Sequence, residues 1–298
     1  MPGRGGPIRW PRVRRRPPAD RGPVTGRPRR ALGLLLVLGL LVPGAGCRYL
    51  PNRSAPVPPW PGGPAPSWQW QLTGPLDPGV EAQVYALDVF RTALDEARRL
   101  RAADRRLMCH VEVGIHQESR PDAGRFPADV LGGRVRVPGQ SGGAPGGRWL
   151  DIRRWSVLEP VLADRFRLCR GKGFVALLPV GMDGYRHRSG FPLTFDDQLT
   201  FNRRVAALAR EHQLAPGLTN DVEQALALEP YFDFAVTEEC FRRTECQRLL
   251  PFVEAGKTVF HVEYDSTTDE FCTTTLGYGF TSIRKDRGLD AGREVCPT

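Results

Sequence analysis

Acids gather in this chain just past short apolar runs: Asp88 after "VYAL", Glu112 after "LMCHV", Asp183 after "ALLPVGM", Glu238 after "FAVT" and Glu263 after "VFHV". Asn220 and Asp221 follow "PGLT" in the same way. Carboxylates so placed can bond sugar hydroxyls, or serve as acid and base around a glycosidic bond. Aromatic rings near them can stack on sugar faces. Trp68, Trp70, Asp88, Tyr185, Asn220, Glu263 and Tyr264 therefore read as a candidate carbohydrate-binding rim. Each acid also has a structural reading, since acids after strands commonly cap helices. Asp221, directly before "VEQALAL", reads as such a cap.

The elements that must position this rim are legible as alternating patterns. The apolar stretches "AQVYALDVF", "LMCHVEV", "FVALLPV", "APGLTN", "FDFAVTE", "KTVFHVEYD" and "GFTSIRKD" read as strands. Helical patterns separate them, including "TALDEARRLRAADR", "RWLDIRRWSVLEPVLADRFRLCRGKG" and "TFDDQLTFNRRVAALAREHQ". Such alternation predicts a parallel sheet covered by helices, and its repetition favours an α/β fold of the (β/α)8 TIM-barrel type, with the rim at the strand ends. A doubly wound open sheet is the alternative, but no G-x-G-x-x-G turn follows the first strand. The glycine-rich segment 132–147 lacks the Lys-Ser/Thr ending of a phosphate cradle and reads as a barrel loop. One strand end stands out. In "KGFVALLPVGMDGY" the run offers only Val180 and Gly181 before its first acid, Asp183.

The chain has 298 residues and a formal charge of +9, which would ordinarily raise a nucleic-acid partner. The charge is local. Residues 1–47 hold arginines 4, 9, 12, 14, 15, 16, 21, 27, 29 and 30 against Asp20 alone, a net +9, so the remainder is near neutral and supports no nucleic-acid binding. Arg29 and Arg30 lead into "ALGLLLVLGLLVPGAGC", which reads as an export signal. The apolar part, Ala31 to Val42, is shorter than the roughly 20 residues a membrane span needs. "GAGC" resembles a bacterial lipobox, with Cys47 as the lipidated residue; an ordinary signal peptide is the alternative, and the paired arginines suggest twin-arginine export. The expectation is an exported protein, extracellular or lipid-anchored at the outer face of a bacterial membrane. Residues 48–66 are proline-rich and read as a tether, with the barrel over 67–298. Six further cysteines in an exported chain permit disulfides, and Cys240 with Cys246 is the expected local pair. A zinc site would need a second close Cys or His pair, which the spacing does not offer.

The motifs "SWQWQLTGPLD", "RPDAGRFPADVLG", "RWLDIR", "MDGY", "SGFPLTFDDQLTFNR", "GLTND", "YFDFAVTEECF" and "GKTVFHVEYD" occur in that order over residues 67–290. In this the chain resembles glycoside hydrolase family 114, the endo-α-1,4-polygalactosaminidase-like barrels. The resemblance implies a TIM barrel, action on α-linked galactosamine or galactose polymers, and neither metal nor organic cofactor. It also implies two catalytic carboxylates, one of which matches Glu238. The other falls on Val180, where the family pattern "GFDGVEPDNVDGY" faces "GFVALLPVGMDGY" here; Val175, Leu178 and Gly181 depart with it. Thr219 and Gln117 likewise replace the family's lysine and glutamate. The expectation is therefore a family-type glycosidase with impaired catalysis, Glu238 acting with Asp183 or Glu263 as an improvised second acid. The alternatives are a non-catalytic glycan binder and a surface scaffold.

Overall fold

The computed structural model describes residues 60, 66–77, 79–135 and 147–297. The expected export signal with Cys47, most of the tether and the loop residues 136–146 lie outside the described residues.

Parallel strands β1 (Trp68–Gln71), β2 (Val84–Asp88), β3 (Arg106–Glu112), β4 (Ala176–Val180), β5 (Ala215–Thr219), β6 (Phe234–Glu238), β7 (Val259–Glu263) and β8 (Thr281–Arg284) each pair with the next. The sheet curls around an apolar interior as the alternating pattern predicts. Side-chain direction reverses at each residue of a strand. Met108, Ala176, Leu178, Phe234, Val236, Phe260 and Val262 thus fill the inside, while Leu107, Cys109, Leu177, Leu218, Ala235 and Val259 pack outward with the helix layer. Both faces are buried, hence the continuous apolar runs in the sequence.

Helices α1 (Leu94–Ala102), α2 (Trp155–Lys172), α3 (Phe195–Glu211), α4 (Ala225–Leu228), α5 (Leu250–Glu254) and α6 (Thr268–Gly277) follow β2, β3, β4, β5, β6 and β7 in turn. Helix α3 begins at a reciprocal capping box, in which Thr194 and Asp197 satisfy each other's backbone N–H groups. Helix α2 stops at Gly173, whose φ of 89° is the left-handed conformation that ends helices. It does not include "RWL", contrary to the sequence reading. Arg148–Leu150 is instead a strand, paired antiparallel with Ile115–His116 and Leu131–Arg134 in a small sheet between β3 and α2.

Strand β8 pairs on its outer edge with the antiparallel strand Glu294–Val295 rather than with β1. The C-terminal segment bridges this seam. The backbone N–H groups of Leu72 and Thr73 donate to the Leu289 carbonyl at 2.8 and 3.2 Å, and Gln69 Nε2 donates to the Ala291 carbonyl at 2.7 Å. Lys285, buried and pushed down to a pKa of about 8 by that burial, donates to Gln69 Oε1 and the Asp290 carbonyl. A disulfide between Cys272 of α6 and Cys296 anchors the same segment. Two more disulfides join Cys240 with Cys246 and Cys109 of β3 with Cys169 of α2.

The stretch read as tether contributes to the core. Trp60 is buried inside the barrel, stacked on Phe234 with ring centroids 4.7 Å apart and edge-on to Phe260. The packed domain therefore starts before Ser67.

Candidate active site

A cleft of about 270 Å³ opens at the carboxyl ends of the strands, where barrels of this kind carry their sites. Trp70 and His110 lie in its lining, with Val180, Asp183, Asn220, Glu238 and Tyr264 around them. Glu238 ends β6 and is the best-positioned carboxylate. Tyr264 Oη donates to its Oε2 at 2.6 Å and Asn220 Nδ2 to its Oε1 at 3.1 Å, while the backbone N–H of Glu238 donates back to Asn220 Oδ1 at 2.9 Å. Local backbone geometry explains the pairing. Asn220 and Asp221 both take left-handed conformations, with φ of 54° and 46°, which only short polar residues adopt at modest cost. The turn lays the Asn220 amide over β6. Burial and the Glu238 charge together raise the Tyr264 phenol well above its usual range, so it stays a donor.

Val180 faces this group from β4. Ala176 and Leu178 point inward, so Val180, two residues on, also points inward and lines the cleft. Its register partner on β3 is an acid, Glu112, but that carboxylate is only 1% exposed and forms an ion pair with Arg120. Arg120 also pairs with Asp88 at 2.7 Å. Burial would raise the Asp88 carboxyl, yet this guanidinium holds it below its usual value. His110 sits among these charges with Nδ1 unpartnered among the described residues, and burial pushes its pKa down against the pull of Glu112 and Asp88.

Asp183 is the other cleft carboxylate close to expectation. His187 Nε2 lies 3.1 Å from its Oδ2, and the imidazole stacks on Trp149 at 4.8 Å. Glu239 also reaches the cleft, but Arg242, Arg243 and Arg287 surround it; they hold its carboxyl below the usual value although burial alone would raise it.

Several expected rim residues point elsewhere. Trp68 is wholly buried in the barrel against Trp70 and Phe260, because residues two apart on β1 share the inner face, so it offers no ring to a sugar. Trp70 contributes only the cleft floor. Asp88 lies below, held by Arg120, and does not line the cleft. Glu263 precedes Tyr264 by one residue and so faces the helix layer: its Oε1 lies 2.9 Å from His261 Nε2 and accepts the Phe241 N–H at 2.9 Å. It supports the loop after β6 and is unavailable as a second acid. Tyr185 turns away to donate to Glu223 at 2.8 Å, beside Phe195. Asp221 makes no capping bond; its side chain is buried and accepts from Asn202 Nδ2 at 2.7 Å. Burial and the nearby charge of Asp183 push its pKa to about 9.

A family model, that of glycoside-hydrolase family GH114, matches residues 50–298. The chain belongs to this family. The crystal structure of Aspergillus fumigatus Ega3 in complex with galactosamine superposes with a TM-score of 0.72 at 25% identity, covering 82% of this chain and all of that one. The glycoside hydrolase domain of PelA from Pseudomonas aeruginosa shares the fold, with a TM-score of 0.56 at 14% identity over 76% of this chain and 97% of that one. No curated protein matches the chain. The GH114 barrel here also places Asp88, His110 and Glu112 close enough together to share a cation, but Arg120 already bonds both carboxylates, so the donor set is spent on a guanidinium. The Cys240, Cys246 and His261 group has its sulfurs in a disulfide.

Sequence reasoning missed His110, Trp149, His187 and Arg287 as cleft residues. His110 was within reach, since it lies two residues from Met108 and Glu112 on one face of β3. Trp149 and Arg287 arrive on a small sheet and a seam segment that carry no strand-end signature.

Proposed function

We propose that the cleft binds an α-linked galactosamine or galactose polymer and that the protein cleaves it far more slowly than a barrel with two opposed carboxylates. The observation that carries this reading is the pairing of Val180 with Glu238 in one cleft. Glycoside hydrolysis uses one carboxyl to protonate the leaving oxygen and a second as nucleophile or base. Glu238, which accepts from Tyr264 and Asn220, is ready to accept from a sugar hydroxyl or ammonium or to act as a base. Valine supplies no proton. Losing such a partner removes on the order of 10²–10⁴-fold of rate.

Asp183 supports a second reading, a hydrolase in which Asp183 supplies the second carboxyl, because its carboxylate lines the same cleft and, among the described residues, hydrogen-bonds only His187. The two readings separate in one experiment. Titrating α-1,4-linked galactosamine and galactose oligomers into the protein, while assaying new reducing ends, gives binding with slow turnover that survives Asp183→Asn under the first. Slow turnover abolished by Asp183→Asn supports the second. Absence of both binding and turnover would overturn the glycan reading and leave a scaffold. Export and lipid attachment at Cys47 belong to the same proposal, supported by the "RRALGLLLVLGLLVPGAGC" segment, and mass spectrometry of the mature N-terminus tests them.

A further inference from the structure

Trp70 and His110 both line the cleft although they are only 2% and 7% exposed, and among the described residues neither Trp70 Nε1 nor His110 Nδ1 makes a hydrogen bond. Strand parity puts them side by side. Trp70 lies two residues after Trp68 on β1 and His110 two after Met108 on β3, so both rings turn into the barrel, with centroids 5.9 Å apart. Buried polar groups in folded proteins are nearly always paired, so two open nitrogens side by side in a cleft call for a shared partner. Their chemistry limits what that partner is. An indole N–H only donates, whereas a neutral imidazole offers one donor and one acceptor, and burial keeps His110 neutral by pushing its pKa down.

We infer that Trp70 and His110 together bind one hydroxyl of the sugar seated at Glu238, the exocyclic hydroxyl at C6. A hydroxyl accepts from the indole and donates to the imidazole at once; an ammonium has no lone pair for the first bond, and a carboxylate has no proton for the second. The closeness of the floor selects the position. Both nitrogens are shut off from bulk water, so the group that reaches them must stand off the pyranose ring, as the C6 hydroxymethyl does on its rotatable bond. In an α-1,4-linked chain that hydroxyl is free on every unit. The charges acting on His110 favour the same group: Asp88, Glu112 and Glu238 stand against Arg120 alone, so a carboxylate at C6 would be repelled. The inference rests on the glycan reading of the cleft and narrows its substrate to hexoses or amino hexoses with an unmodified C6 hydroxyl, excluding 6-deoxy sugars and uronates.

Calorimetric titration of the whole protein with α-1,4-linked galactose and galactosamine trimers, and with their 6-deoxy and 3-deoxy counterparts, tests it. The 6-deoxy trimers should bind wild type about tenfold more weakly than their parents, because the two buried nitrogens stay unpaired. Trp70→Phe and His110→Phe each keep a ring and lose its nitrogens. In each, parent binding should fall and the gap between parent and 6-deoxy trimer should narrow, while His110→Gln, which keeps a donor and an acceptor, should reopen part of it. Lost packing alone would weaken both trimers equally and leave the gap as it was. The two phenylalanine variants are read separately, so if one fails to fold the other decides. If the parents bind and weaken in Glu238→Gln, the cleft reading stands; the inference is then overturned by equal binding of parent and 6-deoxy trimers, the result if water alone pairs the nitrogens. It is also overturned if the gap is unchanged in the variants, or if it follows the 3-deoxy trimers instead. Failure of every parent trimer to bind overturns the glycan reading and this inference with it.

Discussion

Tyr264 and Glu238, at the ends of adjacent strands, are joined by a 2.6 Å hydrogen bond in which the phenol donates to the carboxylate. The bond fixes the cleft carboxylate that ends β6. Tyr264→Phe keeps the ring and removes the donor. Its expected cost to folding is about 1 kcal/mol, since Glu238 retains Asn220 and can gain water. Thermal unfolding checks the cost, and a galactosamine-oligomer titration should show weaker binding than wild type but stronger than Glu238→Gln.

Asp221 makes stability depend on pH in an unusual direction. Its folded-state pKa of about 9 lies above the ordinary 3.8, so the fold favours the protonated carboxyl. The stability it contributes is present in full below about pH 4 and is lost as pH rises toward 9. Asp221→Asn, which mimics the protonated form, should be more stable than wild type at pH 8 and should flatten the decline between pH 5 and pH 9. Melting temperatures across that range decide it; parallel profiles would contradict the assignment.

The disulfides should differ in worth by the length of chain they close. Cys109–Cys169 spans 60 residues and Cys240–Cys246 spans 6. Chain-entropy arguments give about 4 kcal/mol for the first and about 2 kcal/mol for the second. Replacing each pair with alanine and measuring denaturant midpoints should reproduce that order. The shorter bridge also holds the loop that brings Glu239 and Arg243 to the cleft, so its loss should weaken ligand binding as well.

Placing an acid at position 180 is a test with a structural limit. Val180 is half-buried and lines the open cleft, where an introduced carboxyl can reach water. Gly181 does not tolerate a side chain: its φ is 85°, and an added Cβ would sit 2.9 Å from the Gly114 carbonyl carbon and 2.8 Å from Ile115. Leu178 is wholly buried in the barrel interior, where a new carboxyl would lack partners. Val180→Asp alone should therefore fold with little loss, whereas Gly181→Asn or Leu178→Glu should lower the melting temperature sharply. Leu178 and Gly181 are part of the packing.

The barrel was legible because its strands are buried on both faces, which leaves apolar runs such as "FVALLPV" that no surface strand would carry. Strand β1 was not legible from periodicity, since "WQWQ" is four residues long and its glutamines are buried too. For the site, strand ends pointed to Glu238, Asn220, Asp183 and Tyr264, which line the cleft. Strand parity would have removed Glu263, which must face opposite to Tyr264. Asp88 could not have been removed that way, because Arg120 reaches it from a loop whose path depends on tertiary packing. Trp60 escaped for a related reason: a proline-rich segment has no period from which burial can be read.

A cleft with Glu238 and no acid at position 180 should turn over its glycan slowly. The most direct measurement is the rate of reducing-end release from α-1,4-galactosamine and galactose oligomers by wild type, Val180→Asp and Glu238→Gln, at concentrations where binding is saturated. The prediction is a wild-type rate on the order of 10²–10⁴-fold below that of a two-carboxylate glycosidase, a measurable gain in Val180→Asp, and no gain when Glu238→Gln is added to it. Ordinary glycosidase rates in the wild-type protein, abolished by Glu238→Gln, would contradict the account and require another residue of the cleft to supply the proton.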